Sequence, residues 1–235
     1  MKNSDKKALV TGGTGALGRV IVKRFLGEGI KVASSYRDEA EMALLRNSFG
    51  EEVVLIPGDV TKEQDVVALF GRALESFSNI DILLNIVGGY VPGAPVKEIE
   101  AKDWDLMMSL NLRSMFLCSR EFLRRAKSAP YGRIISIGAM PALQPSAGTG
   151  AYGVSKAGVI ALTEILGLEL KGTGITANAI APSVLDTAAN RNSMPKADMS
   201  HWVSPDEIAE LMLFLCSDQG RSINGACIPV FGGVK

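Results

Sequence analysis

Lys7-Ala8-Leu9-Val10-Thr11 runs directly into Gly12-Gly13-Thr14-Gly15-Ala16-Leu17-Gly18. A short apolar run ending in a cluster of glycines reads as a buried strand that empties into a tight turn. Gly13, Gly15 and Gly18 fit the G-x-G-x-x-G spacing. In that pattern small residues let the backbone turn sharply and approach a pyrophosphate. Residues 16–28 then read as a helix closed by Gly29. Its first turn offers free N–H groups and the positive end of a dipole. A strand before and a helix after is the setting the motif requires.

The same alternation continues along the chain. Apolar runs at 30–35, 53–56, 81–85, 132–137, 175–180 and 226–230 predict six further strands. Helical stretches over 39–49, 62–77, 102–126, 152–171 and 205–216 separate them. Continuous apolar strands joined by helices predict a parallel sheet covered on both faces. No repeat, low-complexity tract or linker interrupts the pattern. The expected architecture is one α/β domain over residues 1–235, a doubly wound parallel sheet of about seven strands. Ligands of such sheets sit at the carboxyl ends of the strands.

Bulk properties narrow the function. The chain has 235 residues and is 47% hydrophobic, enough for one sizeable core. Lys plus Arg total 25 and Asp plus Glu total 25, so net charge gives no case for nucleic acid or an anionic membrane. Cys118, Cys216 and Cys227 are widely spaced, as expected of buried thiols in a reducing compartment. The polar start and the lack of an apolar run of roughly 18 residues predict neither a signal peptide nor a membrane span. A cytoplasmic location is expected. His201 is the only histidine, with no second His or Cys at ligand spacing, so no metal site is expected.

The chemistry is expected at Ala151-Tyr152-Gly153-Val154-Ser155-Lys156. On a helix, residues four apart share a face, so the Tyr152 phenol and the Lys156 ammonium can point into one space. A phenol ordinarily titrates near ~10, and a nearby positive charge lowers that value. Such a Tyr can pass a proton to a substrate. The plainer reading is a Tyr at a helix start with a solvated Lys one turn on.

The rest of the chain favours the first reading, because it resembles the short-chain dehydrogenase/reductase family over nearly its whole length. Thr11, Gly12 and Gly18 match the family's Thr-Gly-x-x-x-Gly-x-Gly turn, with Ala16 where the middle Gly is usual. The resemblance implies a Rossmann-type fold and an NAD(P)H cofactor. Gly12, Thr14, Gly15, Ala16, Leu17 and Gly18 would cradle it. Asp59-Val60 looks like the family's adenine contact, and Asn85-Ile86-Val87-Gly88 like a loosened Asn-Asn-Ala-Gly beneath the cofactor. Asn111 is similar to the family's helix Asn, which holds a water in a proton relay. Tyr152 and Lys156 match the catalytic pair, which also contacts the cofactor. Pro182, Val184 and Thr187 fall in the segment that meets the nicotinamide side. Relatives pair their long helices, so a homodimer or homotetramer is expected.

One departure matters. The family's catalytic Ser position is Ala139, and the nearest hydroxyl is Ser136 within the strand. Carbonyl reductases use that Ser to stabilise a developing alkoxide. Three readings follow: a weakened ketone or 3-oxoacyl reductase, a substrate that needs no such donor, or a non-catalytic dinucleotide-binding sensor or assembly protein. The stretch from Leu185 to Trp202 resembles the substrate-side loop of dihydropteridine reductases, a branch of the same family, as does Val87-Gly88-Gly89-Tyr90. That branch also carries Ala at the Ser position and reduces a quinonoid dihydropterin, where no tetrahedral alkoxide forms. The likeness implies a small conjugated substrate among Tyr90, Ala139, Asn190, Met194 and Trp202. After the second strand, Tyr36 stands where NAD-preferring members carry an acid, and Arg37 can pair with a 2′-phosphate. NADPH is therefore favoured over NADH, with Asp38 reaching the ribose as the alternative.

Overall fold

The computed structural model describes residues 2–126 and 130–233. Seven strands form one sheet in the order β3-β2-β1-β4-β5-β6-β7. They are β1 (Lys7–Thr11), β2 (Lys31–Tyr36), β3 (Val53–Pro57), β4 (Ile82–Asn85), β5 (Gly132–Ile137), β6 (Ile175–Pro182) and β7 (Cys227–Val230). Every neighbouring pair is parallel. The expected Rossmann-type sheet is present.

Alternation along each strand explains the apolar runs. Ala8 and Val10 enter one core layer while Leu9 enters the other. In β4, Ile82 and Leu84 point one way and Leu83 the other. Successive side chains on a strand face opposite sides, so a sheet covered on both faces needs apolar residues at nearly every position. The first layer is closed by α1 (Ala16–Gly27), through Ile21, Val22 and Phe25, and by α9 (Pro205–Leu215), through Ile208 and Met212. The second is closed by α3 (Glu63–Phe77), α5 (Ser114–Arg125) and α7 (Gly150–Glu169), through Phe70, Phe122 and Leu166.

Local signals set the helix ends. Asp38 caps α2 (Glu39–Phe49) by accepting from the Glu41 N–H. Ser204 and Glu207 make a reciprocal capping box at α9, which begins with Pro205. Gly29 takes φ +77 where the chain leaves α1 for β2.

Three features depart from the sequence expectations. The helix expected over 102–126 is built as α4 (Ala101–Met107), a π-helical turn (Met108–Arg113) and α5. The residues at both joins keep right-handed helical dihedrals, so the rod widens around Asn111 without breaking. Two short helices, α6 (Met140–Leu143) and α8 (Ala188–Ser193), were not expected. Finally, α7 has a mean hydropathy of 1.3 and is long and apolar enough to cross a bilayer by composition. Here it is a core helix, with Val159, Thr163 and Leu166 buried and Lys156 buried near its start.

The chain turns from β1 outward in both directions, to β2 on one side and β4 on the other. That reversal opens a crevice beyond the carboxyl ends of these strands. Phe25 is fully buried in the layer between α1 and the sheet. Phe25→Ala is expected to destabilise the protein by about 3–5 kcal/mol, read as a lower urea midpoint with an unchanged slope.

Candidate active site

A cleft of about 760 Å³ opens at that reversal, a size suited to a small organic ligand. Its floor is the glycine turn. Thr11 clips the turn to the neighbouring strand: its hydroxyl donates to the Leu84 carbonyl at 3.2 Å and accepts from the Ile86 N–H at 3.1 Å. Gly12 has φ +74, and a Cβ there would lie 2.9 Å from the Val87 nitrogen. A Cβ on Gly18 would lie 2.1 Å from the Gly12 carbonyl oxygen. Only glycine fits these two places. Gly15 is the N-cap of α1 and offers no capping side chain. The first N–H groups of α1 are therefore left to an anion in the cleft, and the cradle fits a dinucleotide pyrophosphate.

Gly12, Thr14, Gly15, Ala16, Leu17, Gly18, Tyr36, Arg37, Asp59, Val60, Val87, Gly88, Tyr152 and Lys156 all line this one cleft, as expected. Of the expected substrate residues, Tyr90 and Asn190 line it as well. Asp59 is held below the ordinary carboxylate range: burial opposes its charge, but bonds from the Thr61 hydroxyl and N–H outweigh that.

Several expected residues stand elsewhere. Asn85 is buried, and its amide donates to Ser119 at 3.2 Å and Ser136 at 3.1 Å, on the face covered by α5. The turn beneath the cleft is carried by Ile86, Val87, Gly88 and Gly89. The same bond occupies Ser136, which is 1% exposed. Its hydroxyl does not stand in for the one missing at Ala139. Ala139 is buried just beyond β5, at the start of α6, and is not in the cleft wall. Pro182 continues the β6 ladder beside Val230. The Val184 carbonyl accepts from Val203 at 2.9 Å, and the Thr187 hydroxyl caps α8. Met194 and Trp202 also lie outside the wall. Met194 follows α8 directly, on an exposed stretch that runs to Asp198.

Asn111 is buried and holds the site together. Its Oδ1 accepts from the Gly89 N–H at 2.9 Å, and its Nδ2 donates to the Gly89 carbonyl at 3.1 Å and to Ser155 at 3.0 Å. The Ser155 hydroxyl in turn donates to the Tyr152 carbonyl at 2.7 Å. The exit of β4 and the start of α7 are thereby joined.

Tyr152 and Lys156 share the cleft but not the expected electrostatic relation. No hydrogen bond links them. The Lys156 ammonium donates to the Ile137 carbonyl at 2.8 Å. Burial pushes the Tyr152 phenol up to about 12, with a further push from Tyr90. Burial brings Lys156 down to about 8. Desolvation disfavours whichever form carries charge. At pH 7 the phenol holds its proton and the amine is mostly charged. The Tyr90 ring meets Tyr152 edge to face, with centroids 5.2 Å apart. Sequence reasoning missed Glu41, Leu110, Ile137 and Leu185, which also line the cleft. Glu41 left a signal in standing four residues beyond Arg37, and Leu185 opens the stretch read as the substrate-side loop.

Arg37 is already paired, with its guanidinium and main-chain N–H both on Glu41. Asp38 is committed to the α2 cap. Near the mouth, Arg191 and Asp186 form an ion pair, with Nη2 2.7 Å from Oδ2, and Asn190 donates to the Leu185 carbonyl at 2.8 Å. These contacts hold α8 against the cleft. No group of His, Cys, Asp or Glu among the described residues could hold a metal ion.

Known proteins are similar to this chain in sequence and fold. Residues 13–235 match the family model described as enoyl-(acyl carrier protein) reductase. Galactitol 2-dehydrogenase of Rhizobium johnstonii is 33% identical over 243 residues, covering 97% of this chain and 94% of that one. A short chain dehydrogenase from Bacillus anthracis superposes with a TM-score of 0.88 at 28% identity, covering 98% of this chain and 97% of the other. The 3-ketoacyl-(acyl-carrier-protein) reductase from Brucella melitensis, complexed with NADH, superposes at 0.85 with 29% identity and 97% coverage of both.

The buried ammonium makes a stability prediction. An unfolded Lys keeps its proton to pH ~10.4, whereas native Lys156 gives it up near about 8. Between these values the unfolded chain binds more protons at this position, so its contribution to stability rises with pH. Urea midpoints at pH 7.5 and 9.5 should shift in favour of wild type over Lys156→Met as pH rises. Parallel pH profiles would show that the ammonium is not desolvated.

Proposed function

Because the chain belongs to the short-chain dehydrogenase/reductase family and is an NAD(P)-dependent oxidoreductase, we propose that Tyr152 is its proton donor and that it reduces a small conjugated acceptor of the quinonoid dihydropterin type. The observation that carries this reading is the pairing of a protonated phenol with a cleft that presents no serine hydroxyl beside it. The glycine turn of α1, with Asp59, Val60, Val87 and Gly88, would hold the cofactor. When bound, the cofactor supplies the hydride. Lys156 stands beside Gly88, where a Cβ would lie 3.2 Å from its ammonium. From there it positions the cofactor and favours the phenolate left after proton transfer. Asn111 positions both the Gly88–Gly89 backbone and α7.

The absent serine bears on the substrate. A carbonyl gathers negative charge on one oxygen as hydride arrives, and a second donor beside Tyr stabilises it. A conjugated acceptor spreads the charge over its ring, and one phenol is enough. Tyr90, exposed at the mouth and edge-on to Tyr152, offers a flat guest an aromatic wall. A second reading, a ketone or secondary alcohol, is favoured by the galactitol dehydrogenase and ketoacyl reductase named above. The proposal includes a homodimer or homotetramer, supported by the exposed apolar flank of Phe116 and Ile165.

Tyr152→Phe is expected to cut turnover at least a hundredfold while cofactor binding stays intact; a fully active variant removes Tyr152 from the chemistry. A panel of quinonoid dihydropterin, diketones and ketoacyl thioesters should give the highest kcat/KM for the first. Faster wild-type turnover of a ketone than of the pterin selects the second reading.

A further inference from the structure

The Arg37–Glu41 pair stands at the corner of the cleft that decides between the two forms of the cofactor. In doubly wound folds the residue just past the second strand meets the adenosine ribose: an acid accepts from its 2′-hydroxyl, while an arginine pairs with a 2′-phosphate. Here β2 ends at Tyr36, and the next residue is Arg37. Taken alone, that arginine selects the phosphorylated form. It does not stand alone.

Glu41 comes back from the first turn of α2 and accepts three bonds from Arg37. Its Oε2 takes the Arg37 main-chain N–H at 2.8 Å. Its Oε1 takes the guanidinium Nη2 at 2.7 Å and Nε at 3.1 Å. The Glu41 side chain is 20% exposed and that of Arg37 is 62% exposed, so the carboxylate is the more firmly seated partner. Both residues line the cleft. Asp38 cannot take over from Glu41, because its side chain caps α2 through the Glu41 N–H at 2.9 Å.

We propose that Glu41 sets the cofactor preference by holding Arg37 neutralised and placing a carboxylate in the ribose corner, so that a 2′-hydroxyl is accepted ahead of a 2′-phosphate. The proposal rests on the dinucleotide reading of the cleft. A 2′-phosphate approaching Arg37 meets a guanidinium whose Nε and Nη2 are already used, and a second negative charge within one side chain's reach. A ribose hydroxyl meets an acceptor and no repulsion. Removing the Glu41 charge leaves the Arg37 guanidinium with less negative charge to answer it, better suited to a phosphate.

The test uses fragments that carry only the distinguishing group. Calorimetric titration of 5′-ADP and 2′,5′-ADP would be made on wild type, Glu41→Gln, Arg37→Gln and the double variant. Wild type is expected to bind 5′-ADP at least as tightly as 2′,5′-ADP. Glu41→Gln is expected to bind 2′,5′-ADP about tenfold more tightly, the order of one charge-assisted contact, with no gain for 5′-ADP. The gain should vanish in the double variant and shrink in added salt. A wild type that already prefers 2′,5′-ADP tenfold overturns the proposal, as does a Glu41→Gln variant whose 2′,5′-ADP affinity is unchanged or weaker. Failure of both fragments to bind any of the four proteins would strike down the dinucleotide reading and this proposal with it.

Discussion

The side chain of Asn111 joins three parts of the chain that are far apart in sequence. It grips both polar groups of Gly89 at the exit of β4 and the hydroxyl of Ser155 on α7. Each of these is a buried or part-buried polar group, and leaving one unmade costs about 1–3 kcal/mol. The π-helical turn between α4 and α5 sits where that side chain leaves its helix. Such widened turns are rare and concentrate at functional sites. The backbone under the cleft and the helix that carries Tyr152 are therefore set by one amide.

Around that amide the cleft is built from groups removed from water. Lys156 and Asn111 have their charge or dipole answered by protein atoms, and burial raises the Tyr152 phenol. Burial, more than proximity, then decides protonation. Proximity alone predicts an acidic phenol beside an ammonium. The structure shows a phenol that keeps its proton and an amine that yields its own more readily, with the Ile137 carbonyl as the amine's partner.

Much of this was legible in the sequence, and the exceptions share one cause. The strands were legible because a sheet buried on both faces needs uninterrupted apolar residues. The glycine turn was legible because no other residue tolerates the Gly12 conformation or the Gly18 contact. The Tyr152 and Lys156 pairing was legible from helical spacing. What failed was direction. Asn85 and Ser136 sit side by side on neighbouring strands, and their side chains turn to the face covered by α5. Spacing along the chain does not reveal which face that is. The stretch read as a substrate-side loop over residues 185–202 contributes only Leu185 and Asn190 to the wall, and Met194 stands on the exposed stretch after α8. Arg37 looked free because its partner stands on the following helix, one turn in.

A mechanical consequence follows from α7. Its opening turn bears the phenol and the ammonium, while Val154, Ile165 and Leu168 stand out on its far flank. All of these residues belong to one continuous helix of twenty residues. The exposed flank and the cleft-facing turn therefore belong to one rigid element and cannot be repositioned independently.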